Sequence, residues 1–130
     1  MIIEDIANYI EDNTDSVQET DLFIGELPFD KSDCVALVYS PSPEPNKALH
    51  YYTQMIDIRA RFGSFEDGYA KLLEIFRLFH RAENYETDNF HIYLSYASGM
   101  PMDNDRDVER RHLLQLSLGF IYRELVEPSS

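Results

Sequence analysis

The amino-acid sequence predicts an α+β domain with a mixed or antiparallel sheet of four to five strands. One main helix and a short N-terminal helix are expected to pack on this sheet. Residues 53–61 alternate between two sets of side chains, which is the period-two pattern of a half-buried strand. Residues 65–81 place apolar side chains at helical spacing, which indicates an amphipathic helix. Because only one main helix separates the strand-like segments, we expect helices on one face of the sheet.

The length of 130 residues predicts a single domain that spans residues 1–130. The N-terminal residues carry acids early and lack the basic region and apolar core of a signal peptide. No run approaches the roughly 20 apolar residues that cross a bilayer. We therefore expect a soluble protein that makes no membrane contact.

The first third of the chain reads as one helix followed by two strands. Residues 2–12 repeat isoleucine at three- and four-residue steps and predict a short helix. Residues 21–28 form a short apolar segment closed by glycine and proline, and residues 33–40 are apolar nearly throughout, as in a central strand. Three prolines within residues 41–46 predict an extended surface loop.

The strand and helix at residues 53–81 form the unit around which the domain is organised. Ser64 stands at the N-cap position of the helix, with Asp67 three residues later. Phe76 is expected to be buried on the sheet side of the helix. The strand residues expected to pack against the helix are Ile56, Ile58, Ile92, Leu94, Leu116 and Leu118.

The last third predicts two more strands. Residues 84–88 form a turn, and residues 89–97 form a strand with Phe90, Ile92, Leu94 and Tyr96 on one face. Residues 102–109 are polar and acidic and predict a loop. Residues 111–123 alternate over a long final strand, which places its even-numbered apolar residues on one face.

The charge distribution limits the possible partners. The net charge is −13, and no Lys or Arg precedes Lys31, so the basic clusters that bind a phosphate backbone are missing from this segment. The early acids form either a solvated surface or a surface that repels DNA. Candidates for an acidic channel or rim are Glu4, Asp5, Glu11, Asp12, Asp15, Glu19 and Asp21.

The residues predict no catalytic, cofactor-binding or metal site, and hence no enzyme. Cys34 lies in an apolar strand and is expected to be a buried structural thiol. The acidic run that starts at Asp103 has Val108 and Leu114 where an EF-hand loop needs Gly and Glu, which favours a solvated loop over an EF-hand and leaves a weak, nonspecific cation site as the alternative. His91 and His112 are candidate cross-strand neighbours, but the four histidines share no metal-binding spacing.

Three charged residues alternate on the strand at residues 53–61. Asp57, Arg59 and Arg61 share one face, which is either an exposed sheet face with local ion pairs or a subunit contact. We treat them as the candidate subunit interface.

Most of the chain resembles the bacteriophage minor capsid family of tail terminator proteins, which act in tail completion and head–tail joining. In that family a segment similar to LFxGxLP precedes a strand similar to VQVRVRG and a helix similar to YEEAYxLAxxIYxLLH. The matching residues here are Leu22, Phe23, Gly25, Leu27, Pro28, Ile56, Ile58, Arg59, Arg61, Gly63, Tyr69, Leu72, Leu73, Ile75, Phe76 and His80.

The resemblance implies a structural protein of the virion that is assembled in the host cytoplasm. It implies a homo-oligomer, usually a hexameric ring, that caps the tail tube protein and joins it to the head–tail connector or stopper protein. DNA would pass through the ring without specific binding, and an acidic lumen would keep phosphates from adhering. Two alternatives stay open from the residues alone: an acidic DNA mimic and a small ligand-binding α+β domain.

Overall fold

A computed structural model describes residues 2–40, 51–107 and 109–125, and of Asp105 the backbone only. The loop predicted at residues 41–46, and the remainder of the segment to residue 50, lie outside the described residues. The elements in chain order are α1 (Ile2–Asn13), β1 (Leu22–Ile24), β2 (Cys34–Ser40), β3 (Tyr52–Phe62), α2 (Phe65–Phe79), β4 (Ala82–Glu86), β5 (Phe90–Ala97), β6 (Met102–Arg106) and β7 (His112–Glu124).

The strands form one mixed sheet in the order β1-β2-β3-β7-β5-β4, with β6 paired to β7 beside β5. Only the β1–β2 pair is parallel among the strand pairs of the described chain. The α+β class is confirmed, but the described sheet has seven strands, more than the four to five predicted. The additional strands are β4, which replaces the turn predicted at residues 84–88, and β6, which replaces most of the predicted loop at residues 102–109.

Both helices pack on the same face of the sheet and share one core with it. The predicted faces of β3 and β7 are confirmed, because Ile58 pairs with Leu37 on one side and Leu116 on the other, and all three are buried. The buried isoleucines of α1 complete the core beside β1 and β2.

Helix α2 begins where the sequence predicted and ends two residues earlier. The Ser64 hydroxyl accepts a hydrogen bond from the Asp67 backbone N–H at 3.3 Å, which confirms the N-cap. At the other end His80 leaves the helical conformation, and its Nδ1 accepts a hydrogen bond from the Ala97 N–H at 3.0 Å. Phe76, which was predicted to be buried, is only partly buried and packs against the core, whereas its neighbour Ile75 is completely buried.

A β-bulge in β5 overturns the predicted face of that strand's second half. The register shifts between Ile92 and Leu94, so Ser95 is buried beneath α2 while Leu94 and Tyr96 lie on the opposite face. Tyr96 then crosses Gly119 so closely that a Cβ on this glycine would lie 2.5 Å from the ring.

The buried Ser95 closes a hydrogen-bond chain across the core. Its hydroxyl donates to the Phe79 carbonyl oxygen at 2.7 Å and accepts from the Tyr85 hydroxyl at 2.7 Å. Burial raises the pKa of Tyr85 far above its usual value, so this phenol stays protonated as a donor. The chain therefore satisfies the last carbonyl of α2 and fixes β4 and β5 beneath the helix.

Candidate assembly surfaces

The sheet face opposite α1 and α2, here called the open face, is covered by no helix in the described part of the chain. Alternation along β3 brings Asp57, Arg59 and Arg61 to this face, as the sequence predicted. Opposite them on β7 lie Ser117 and Gln115. The three candidate interface residues therefore share one surface, but their environments differ.

Asp57 and Arg59 remain accessible on the open face. Asp57 is half-buried and accepts a hydrogen bond from the Ser117 hydroxyl at 2.8 Å. Arg59 is exposed, and no hydrogen bond or ion pair connects it to any residue within the described ranges. A cation left in this state on a sheet face is available to a carboxylate of another molecule.

Arg61 has partners within the subunit, which changes its role. Its guanidinium donates to the Lys31 carbonyl oxygen at 2.9 Å and to the Pro28 carbonyl oxygen, and it lies 3.5 Å from Asp107. Only 12% of the side chain is exposed. Arg61 therefore fastens the connection between β1 and β2 to the sheet.

Asp107 is the second member of this cluster and was predicted to lie in a solvated loop. It accepts from Arg111 Nε at 2.7 Å, while Arg111 also donates to the Lys31 carbonyl oxygen at 3.1 Å. Burial on its own raises the pKa of Asp107, but the hydrogen bonds and charge of Arg111 outweigh this effect and lower it. The cluster ties the β1–β2 and β6–β7 connections together at one end of the sheet.

A groove of about 470 Å³ opens on this face between the connection after β1 and the strand β6, and we call it the open-face groove. Its walls and floor combine aliphatic side chains with amides, two guanidinium groups and one exposed carboxylate. The residues that carry these groups are Glu26, Leu27, Arg59, Arg61, Asn104, Leu113 and Gln115. This mixture suits a protein contact, since apolar area and a few polar groups are combined without a nucleophile and its base.

The predicted acidic surface loses one of its members. Asp5 is buried, with 4% of its surface exposed. Its carboxylate accepts hydrogen bonds from the Thr87 hydroxyl and the Asn89 N–H, both at 2.8 Å, and from Asn89 Nδ2 at 3.0 Å. Asp5 therefore anchors α1 to the β4–β5 turn, and this internal role excludes it from a channel or rim surface.

Three further acids hold the segment between α1 and β1 in place. Glu11 accepts from both the backbone and the side chain of Gln18, at 2.8 and 3.1 Å, and Asp21 accepts from the Val17 N–H at 2.7 Å. Asp15 contacts Lys71 Nζ at 2.8 Å, and this hydrogen bond together with the lysine charge lowers the pKa of Asp15.

Glu4, Asp12 and Glu19 complete the predicted acidic set, and all three are exposed. With Asp15 they leave four of the seven predicted acids as largely solvent-facing carboxylates around α1 and its connection to β1.

The remaining candidate residues provide no chemical site. Cys34 is buried, as predicted, and burial raises the pKa of its thiol. His91 pairs with Arg123, whereas His112 pairs with Phe62 and Arg106, so the histidines are not the cross-strand neighbours that were considered. Among the residues described here, no group of three or more His, Cys, Asp or Glu side chains is arranged to hold a metal ion.

The described surfaces comprise an uncovered sheet face and a groove, and polar clusters hold the connections of the fold in place. Residues 9–123 match the family described as bacteriophage tail terminator protein, and the chain belongs to this family. It is accordingly a structural component of the phage tail that interacts with other tail or head proteins. No curated protein and no solved structure matches the chain. Neither helix of the described residues is long and apolar enough to cross a bilayer.

Proposed function

We propose that this chain forms a hexameric ring that caps the completed tail tube and joins it to the head–tail connector while DNA passes through. Family membership supports the site of action, and the mode of assembly is supported by Arg59, which is exposed on the open face and has no partner among the residues that the structure describes. No bond is made or broken in this function. Assembly depends on complementary surfaces between neighbouring subunits and between the ring and the proteins above and below it.

The open face supplies one half of the contact between neighbouring subunits. Rings arise from head-to-tail contacts, in which one patch of a subunit meets a different patch of the next. Leu27 and Leu113 offer apolar area in the open-face groove, and Arg59 offers the charge that fixes the register. The chain carries 24 acidic residues against 11 basic ones, so a neighbouring subunit has many carboxylates that complement Arg59. The segment at residues 98–109 supports the contact through β6, which forms a wall of the groove.

Reversing the charge at Arg59 is expected to prevent ring assembly without unfolding the subunit. Arg59→Glu places a carboxylate opposite the neighbour's carboxylate, and a mispaired charge in an interface costs about 2–5 kcal/mol. Light scattering after size-exclusion chromatography and electron microscopy should show rings for the natural protein and smaller species for the variant. Arg77→Glu is the matched control, because Arg77 is an exposed arginine on α2, and this variant should assemble normally.

If the Arg59→Glu variant formed rings at the same protein concentration as the natural protein, the open face would not be the subunit contact. Arg61 is left unchanged in this experiment because its reversal would break the contacts to Lys31 and Asp107 and so confuse assembly with folding.

The exposed acids near α1 are proposed to line the channel or its rim. Each subunit contributes the same charges, so a ring concentrates them into a band that repels phosphate. Screening confines this effect to about 8 Å at physiological salt, so the position of the acids matters more than the total charge. The proposed band consists of Glu4, Asp12, Asp15 and Glu19.

Neutralising two of these acids is expected to slow genome ejection in a salt-dependent way. Phages that carry Asp12→Asn together with Glu19→Gln should eject DNA more slowly at low ionic strength than phages with Glu66→Gln and Glu83→Gln. All four residues are exposed, so both pairs remove the same charge from the surface. Time-resolved DNA release measures the difference. Equal ejection rates for the two double variants would contradict the acidic channel.

A further inference from the structure

The open edges of the sheet differ in how they are protected against pairing with another chain. The outer edge of β4 carries Glu83 and Glu86 and a left-handed residue, Asn84, with φ of 51°. The outer edge of β6 carries Asp103 and an irregular register before Asp105. Charged side chains and bulges of this kind block the addition of a further strand.

Within the residues that the structure describes, the edge of β2 beside β1 has no such protection. Strand β1 covers only three positions and ends with Ile24 opposite Leu37. Gly25, at φ of 103°, donates its N–H to the Leu37 carbonyl oxygen at 2.8 Å and turns the chain away. No strand of the described chain pairs with Val38–Ser40 on that side.

The backbone polar groups of Tyr39 point toward this open edge. In an antiparallel pair the residues alternate between bonding to the partner strand and bonding away from it. Val35 and Leu37 bond toward β1, through Val35 N–H to Asp21 and through the Leu37 carbonyl oxygen to Gly25. Tyr39 lies two residues after Leu37, so its N–H and carbonyl oxygen point to the same side of β2 as those of Leu37. At this position β1 has already ended.

A groove of about 580 Å³ lies directly beside this edge, and we call it the edge groove. Its lining is almost entirely apolar, with Ile24 42% exposed. The Tyr39 hydroxyl accepts a hydrogen bond from the Ile3 N–H at 3.3 Å, which holds the start of α1 as the opposite wall. The residues that line the groove are Ile3, Glu4, Ile24, Gly25, Leu37 and Tyr39, together with Val38.

We propose that the open edge of β2 binds an extended segment of a different protein as an added strand. The segment pairs with the N–H and carbonyl oxygen of Tyr39 and inserts one apolar side chain into the edge groove. A Lys or Arg next to that side chain complements Glu4, the charged residue of the lining. A second copy would offer its own β2 edge as well as the acidic edges of β4 and β6, and a dependence of the binding signals on protein concentration distinguishes this occupant from a different protein. This proposal does not depend on ring formation.

A titration with a synthetic strand tests the proposal. The probe is the peptide Lys-Thr-Val-Thr-Val-Thr-Lys, and the control peptide has both valines replaced by proline, which keeps apolar volume but removes two backbone donors. Isotope-labelled Ile δ1 methyl groups report binding in the full chain. Ile3 and Ile24 line the edge groove, and Ile121 of β7, on the open face, serves as the reference signal.

The expected result is a saturable shift of the Ile3 and Ile24 signals with the probe, little shift with the proline peptide, and no shift of Ile121. An Ile24→Lys variant, read through the Ile3 signal, should bind about tenfold more weakly. Phe29→Lys, which changes an apolar residue that is 81% exposed outside the groove, should bind normally.

Three outcomes would overturn the proposal. The first is the absence of any shift of Ile3 and Ile24 with the probe, and the second is an equal response to the proline peptide. The third is a change of both signals with protein concentration alone, because it would show that a second copy of the chain occupies the edge groove.

Discussion

Replacing Phe79 with Ala is expected to lower the free energy of unfolding by about 3–5 kcal/mol. Phe79 is completely buried. The centroid of its ring lies 5.5 Å from the ring centroid of Tyr9 and 5.4 Å from that of Phe120. It therefore joins α1, α2 and β7 in one contact, and its removal leaves a cavity as well as losing apolar burial. Urea unfolding followed by circular dichroism measures the change.

Alanine variants of two further phenylalanines provide the comparison for Phe79→Ala. Phe29→Ala should change stability by less than about 0.5 kcal/mol, because its side chain is 81% exposed. Phe76→Ala should fall between the two, since Phe76 is partly buried and stacks on His80 at 4.6 Å. A larger loss for Phe76→Ala than for Phe79→Ala would contradict the helix orientation described above.

Replacing Asp5 with Ala is expected to cost about 2–4 kcal/mol, because it leaves the Thr87 hydroxyl and the Asn89 N–H without their acceptor. The same unfolding measurement applies. Asp12→Ala is the matched control: it removes an exposed acid from the same helix and should change stability by less than about 0.5 kcal/mol. Equal effects of the two variants would mean that Asp5 does not anchor α1 to the β4–β5 turn.

The parts of the fold that the sequence predicted best are those with a long local period. Strands β3 and β7 alternate over more than ten residues, and α2 has a capped start at Ser64, so each pattern was readable without knowledge of its partner. β4 and β6 are short, polar and charged, and they become strands only because β5 and β7 offer them a pairing edge. That context is tertiary and leaves no periodic signal.

The errors within correctly predicted elements have the same origin. The bulge between Ile92 and Leu94 shifts every later residue of β5 by one position, and no glycine or proline marks it in the sequence. The helical spacing of α2 allowed either Ile75 or Phe76 to face the core, because both lie within a broad apolar stripe.

The candidate surfaces show which properties of a charged residue can be predicted. Alternation alone placed Asp57, Arg59 and Arg61 on one face. It did not show that Arg61 bonds to a carbonyl 30 residues away, or that Asp5 bonds to Asn89, 84 residues away. Because the fold brings such distant partners together, only the structure shows whether a charged side chain is exposed or hydrogen-bonded within the subunit.

Cryo-electron microscopy of the purified protein and of tails that contain it measures directly whether the subunits form a ring. We expect a closed ring at the end of the tail tube in which each subunit buries Arg59 against a carboxylate of its neighbour. Monomers on tail ends, or a ring that leaves Arg59 exposed to solvent, would contradict the proposed assembly.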